Sequence, residues 1–191
     1  MAPNSTSNDA PPTPSSTRLR RPLLLVGAVV VVLAVAAVLY TALRPDSTAH
    51  NAAGPAGGPV SFTATTASGQ QIAVPGGKPS VLLFLGVNCG GCGPTATALG
   101  QLQTQTTGAA NFVGVDITPG ESASDVRGFL TANHADGLGV ALDADTHLIS
   151  ALGVTQLTTV VVLDATGAPT YRAVEPTPEQ VQTALGAVAA R

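Results

Sequence analysis

The sequence predicts an α/β domain, carried behind one apolar segment long enough to cross a membrane. Three observations predict it. The run "PLLLVGAVVVVLAVAAVLYTAL" (Pro22 to Leu43) contains no charge. Beyond Val60, short apolar runs alternate with stretches of helical spacing, the signature of a sheet covered by helices on both faces. The only two cysteines, Cys89 and Cys92, follow directly on one of those apolar runs.

Residues 1–21 open with Pro, Ser, Thr, Asn and Ala and hold almost no large apolar side chains before Leu19. Such a segment buries too little surface to offset its ordering entropy and is predicted to be disordered. At about 1.5 Å per residue, the 22–43 run spans a hydrocarbon core of roughly 30 Å. Tyr40 stands near its outer end, where an amphipathic ring suits the interface. Arg18, Arg20 and Arg21 precede the run and Arg44 follows it, so the N-terminus is expected in the cytoplasm and the rest of the chain outside it. The alternative is a cleaved secretory signal, for which Ser47-Thr48-Ala49 is a passable site, although the apolar run exceeds the usual length. Both readings export the domain. Residues 44–58, rich in Gly, Ala and Pro, read as a flexible linker, and 59–191 as one domain with a core.

Within the domain, "VSFTATTASGQQIAV" reads as two extended pieces around a Ser68-Gly69 turn. "SVLLFLGV" (80–87) is continuously apolar, as a strand buried on both faces requires. The stretch 95–106 has Ala and Leu at helical spacing, with a kink expected from Pro94. "NFVGVDI" (111–117) is a second buried strand, 122–134 a helix, and 139–142 a short strand. "DTHLISAL" (145–152) reads as a short helix capped by Asp145. The strand 158–164, the Ala165-Thr166-Gly167 turn and 169–174 form a hairpin. The last helix starts at a Thr177 cap, with Pro178 at its first position and Gln180 completing a capping box. The order ββ-α-β-α-β-α-β-β-α predicts a largely parallel sheet with an antiparallel edge at the terminal hairpin.

Charge excludes one class of function. Beyond Val60 the basic residues are Lys78, Arg127, Arg172 and Arg191, against nine acids, and aromatics are few. No basic stripe is available for nucleic acid.

Cys89 lies where a buried strand gives way to a helix, and helix N-terminal amides stabilise a thiolate there. The thiolate is the attacking species in disulfide exchange, so Cys89 reads as the nucleophile and Cys92 as the thiol that resolves the mixed disulfide. Three alternatives stand beside this. A structural disulfide would close too small a loop to gain much entropy. A zinc clip needs more ligands, and only His134 and His147 remain in the domain. A peroxidatic cysteine would have Thr or Ser where Gly86 stands.

The blocks "VLLFLGVNCGGC", "FVGVDITPGES" and "GVTQLTTVVVLDATGAP" resemble the thioredoxin-fold domain of membrane-anchored, TlpA-type thiol–disulfide oxidoreductases, over roughly residues 59–191. The resemblance implies a thioredoxin-like fold, a central mixed sheet with helices on both faces, with Cys89 and Cys92 as the nucleophilic and resolving cysteines and no cofactor. It implies disulfide- or dithiol-containing secreted partners, apocytochrome c among them, and a membrane electron carrier that resets the pair. This sequence departs from that pattern in three places. Asn88 stands where an aromatic usually precedes the first cysteine. Leu157, Thr158 and Thr159 form the loop facing the cysteines, with Thr158 in the place of a cis-proline. A non-proline cis bond costs about 2.5–4 kcal/mol, so a trans Leu157–Thr158 bond is predicted. Leu83 and Thr95 occupy the positions of the acids that relatives use to handle protons. The competing reading is a thioredoxin-fold binding module that holds a soft metal such as copper through the two thiols.

Overall fold

A computed structural model describes residues 57–106 and 108–190. The 1–21 tail, the 22–43 apolar run and nearly all of the 44–58 linker lie outside them. Among the described residues no helix is long and apolar enough to cross a membrane.

The elements are β1 (Phe62–Thr65), β2 (Gln71–Val74), β3 (Ser80–Leu85), α1 (Cys92–Thr106), β4 (Asn111–Asp116), α2 (Ala123–Ala132), β5 (Gly139–Leu142), α3 (His147–Leu152), β6 (Thr159–Leu163), β7 (Pro169–Val174) and α4 (Pro178–Ala189). The two extended pieces and the 80–87 run thus make three strands before the first helix, one more than the summarised order counts. They form one sheet in the order β2-β1-β5-β4-β3-β6-β7.

The sheet is mixed, as the resemblance implies, and not the largely parallel one that the order of elements alone suggests. Only β3·β4 and β4·β5 run parallel. The pairings β1·β2, β1·β5, β3·β6 and β6·β7 are antiparallel. The reason is physical: a continuous apolar run reports burial on both faces, and an antiparallel strand under two helical layers is buried just as fully.

Alternation along β3 builds two cores. Val81, Leu83 and Leu85 face a layer made by α1, α2 and α4, where they join Cys92, Ala96, Leu99, Val126, Leu130 and Val181. Leu82 and Phe84 face the other way, with Val113, Val115, Val161 and the α3 residues Leu148 and Leu152. Every β3 residue is buried, so the strand that leads to the cysteines is anchored from both sides.

The caps show which local signals were sufficient. Thr177 and Gln180 close their capping box at α4. The Asp145 cap is overturned: the α3 N-cap is Thr146, at φ 59° and without a side-chain cap bond. Asp143 does the work instead, its carboxylate accepting from Leu148 N and Ile149 N at 2.8 Å each. A turn closed by Thr146 N donating to Asp143 O brings that carboxylate beneath the helix. Pro94 falls in the first turn of α1, where its missing N–H has no partner within the helix to lose, so the cause expected to kink the helix is absent there.

Candidate redox-active site

Six residues, Gly86 to Gly91, connect β3 to α1. Two tight turns shape them, with Cys89 N donating to Gly86 O (3.1 Å) and Cys92 N to Cys89 O (3.2 Å). Cys92 is the first residue of α1 and is fully buried in the core, whereas Cys89 is half-buried against it. The two form a disulfide with a Cα–Cα separation of 5.4 Å. Cys89 thus stands just ahead of the helix, within reach of solvent and beside the positive end of α1. His134 and His147 are exposed, and among the described residues no group of three or more His, Cys, Asp or Glu gathers as a metal site.

The loop facing the cysteines divides its residues by role. Thr158 Oγ1 lies 3.4 Å from both Cys89 Sγ and Cys92 Sγ. The Leu157–Thr158 bond is trans; among the described residues the one cis peptide is Val74–Pro75. Leu157 is an exposed apolar side chain. Thr159 belongs to β6, and its hydroxyl donates to Gln156 O at 2.7 Å, so its polar atom is not directed to the sulfurs. Thr95, at the position of a relative's acid, donates to Gly91 O at 3.3 Å.

Leu83 and Thr95 hold the positions of the relatives' acids, but three carboxylates come together around the loop that leads to the motif. Glu121 Oε2 accepts from Val87 N at 2.8 Å, tying the residues after β4 to the loop that leads to Cys89. Asp116, at the end of β4, accepts from Thr118 N at 3.1 Å, and its carboxyl interacts with that of Glu121. Glu175 lies against Gly91: a Cβ there would sit 2.5 Å from Glu175 Oε1 and 3.3 Å from Thr158 Oγ1. Gly91 is therefore needed for this close approach. A Cβ on Gly86 would likewise collide with Thr118 Oγ1. The sequence carries no signal for these contacts, because they join segments that are distant along the chain.

Burial pushes the Asp116 carboxyl up to about 6, reinforced by the hydrogen bond to Glu121 and the repulsion of its charge, against the Thr118 N–H that favours the anion. A carboxyl raised in the folded state destabilises it on ionising. Stability linked to Asp116 is therefore complete below the ordinary carboxylate range and is lost as pH rises through about 6. Asp116→Asn keeps an acceptor for Thr118 N and gains a donor toward Glu121. It is expected to melt about 4 °C above the parent at pH 8, the equivalent of about 1 kcal/mol, and to lose that advantage at pH 4. Parallel melts at the two pH values check this; an equal difference at both would contradict it.

No family model matches the chain. Among solved structures, a secreted Mycobacterium tuberculosis disulfide oxidoreductase homologous to E. coli DsbE superposes with a TM-score of 0.53 at 24% identity, over 66% of this chain and 95% of that one. StoA from Bacillus subtilis superposes at 0.56 and 21% identity, over 68% and 98%. The chain has a thioredoxin-like fold. In this fold the thioredoxin-like domain takes up nearly all of what is described, with the disulfide at the β3–α1 junction and Thr158 facing it. Among curated proteins, "Mercury resistance operon ORF3" of Streptomyces lividans is 38% identical over 117 residues, which is 60% of this chain. The match spans 62% of the length of that relative.

Proposed function

We propose that this thioredoxin-like protein is an exported, membrane-tethered thiol–disulfide oxidoreductase that exchanges disulfides with extracytoplasmic proteins. The observation that carries the reading is the asymmetry of the pair: a solvent-reachable Cys89 joined to a fully buried Cys92 at the head of a helix. In the reducing direction, the Cys89 thiolate attacks a partner disulfide. That S–S bond breaks, a Cys89–partner bond forms, and one partner sulfur leaves as thiolate. Cys92, deprotonated, then attacks Cys89 Sγ and expels the second partner thiolate, so the partner gains two electrons and the pair returns to the disulfide. The reverse sequence oxidises a partner dithiol. Tethering rests on the uncharged 22–43 run with three arginines before it and one after, and a membrane electron carrier would reset the pair.

The test is insulin reduction by the full-length protein in detergent micelles, with dithiothreitol as electron source. Precipitation of insulin chains faster than with dithiothreitol alone is expected; a rate equal to that background would sink the reading. The Streptomyces lividans relative favours a second one, uptake of a soft cation as cargo by the reduced thiols, which suit such ions. Titration of the reduced protein with Hg(II) or Cu(I) separates the two. Retention of one equivalent through gel filtration, with no insulin turnover, would favour cargo binding.

A further inference from the structure

We propose that the Thr158 hydroxyl is a catalytic group that stabilises the reduced form of the Cys89–Cys92 pair and so sets how readily the disulfide is reduced. The inference rests on the exchange reading above and assigns a role within that site.

Thr158 Oγ1 touches the reacting atoms themselves, at 3.4 Å from each sulfur. The residue is only 3% exposed, so its hydroxyl is shielded from bulk solvent. Among the described residues, the two sulfurs are the polar atoms hydrogen-bonded to it. A buried hydroxyl needs such partners, and here they are the two sulfurs of the disulfide.

The backbone holds the hydroxyl in place. Thr158 has φ 63°, a left-handed conformation in which a β-branched residue is an outlier. It is fixed by Thr158 N donating to Phe84 O (2.8 Å) and Glu175 N donating to Thr158 O (3.0 Å). Glycine or asparagine would meet this backbone at lower cost. Local strain maintained by surrounding structure points to a function for the side chain that bears it.

The contact changes strength with oxidation state. A disulfide sulfur is a weak acceptor, whereas a thiolate is an ionised one, and hydrogen bonds to charged groups are the strong ones. Opening the S–S bond with two electrons from a dithiol therefore gives the same hydroxyl a better partner. The surrounding charges act the other way: Glu175 lies against Gly91, Glu121 holds Val87 N, and Asp116 stands behind it. At the pair itself this hydroxyl is a donor to the sulfurs, beside the positive end of α1.

The experiment equilibrates full-length protein in detergent with defined ratios of reduced and oxidised dithiothreitol, then reads the oxidised fraction by thiol trapping and gel shift. Thr158→Val keeps the shape and removes the hydroxyl; Thr158→Ser keeps the hydroxyl and removes the methyl. Thr158→Val is expected to be roughly tenfold harder to reduce, which converts to about 30 mV toward a more reducing couple. Thr158→Ser is expected to stay within about a factor of two of the parent. A valine variant with the parent's equilibrium constant and an unchanged melt overturns the proposal. So does a serine variant displaced as far as valine, because the effect would then be steric. Should Thr158→Val lose its cooperative melt, Thr158→Ala takes its place against Thr158→Ser. The exchange reading fails separately: a parent protein that equilibrates with dithiothreitol but leaves insulin untouched ends that reading and still yields the Thr158 comparison.

Discussion

Cys89→Ser is expected to abolish insulin reduction, while Cys92→Ser retains the first attack and accumulates mixed disulfides. The difference follows from burial. Cys92 is 0% exposed within the core cluster shared with Leu83 and Ala96, so no external disulfide can approach its sulfur in line. Cys89 packs against the edge of that cluster with part of its surface open. Removing the outer sulfur therefore removes the point of attack, and turnover falls to the background of dithiothreitol alone. Removing the inner sulfur leaves the attack but deletes the group that resolves it, so a covalent adduct builds up to stoichiometry. Non-reducing gels of the full-length variants after incubation with oxidised insulin read both outcomes. The inverse pattern, adducts on Cys89→Ser and none on Cys92→Ser, would reverse the assigned roles. Equal activity in both variants would place the chemistry elsewhere.

What was legible in the sequence was what depends on near neighbours. The continuous apolar run of β3, the Thr177–Gln180 capping box and the Asp164–Gly167 turn each carry their cause within a few residues. The position of the cysteines between a buried strand and a helix was legible for the same reason. Strand direction was not, because burial on both faces is shared by parallel and antiparallel central strands. The α3 cap was misplaced because a carboxylate two residues before Asp145 reaches the same amides through a turn. The acidic surroundings of the motif were invisible for a different reason. Glu121 meets Val87, and Glu175 meets Gly91, only after β4 and β7 have been placed in the sheet. The sequence marked Thr158 as unusual by the absence of proline. Its contact with both sulfurs needed the left-handed backbone, which residue type alone argues against.

Leu83→Ala is expected to cost about 3 kcal/mol and lower the melting temperature by roughly 10 °C. Leu83 stands in the middle of β3, in register with Gly114 on the β4 side and Val160 on the β6 side. It is 0% exposed and shares its core cluster with Cys92, Leu99 and Val162. Neighbours held by two ladders cannot close around the missing methyls, so both the transfer term and the cavity term apply. Leu142→Ala is the control: that side chain is 45% exposed at the end of β5, and its truncation should move the melt by about a degree or less. The position also bears on chemistry. An acid here would lie among apolar side chains with no partner assigned to it, and burial would keep it neutral at pH 7 unless the pair's reduction supplied a charge to balance. Leucine instead keeps the core around Cys92 apolar, and the hydrogen bond at Cys92 Sγ comes from Thr158 Oγ1. Thermal melts of the two full-length variants in the same detergent decide the matter: equal shifts would mean that β3 does not occupy the centre of the sheet.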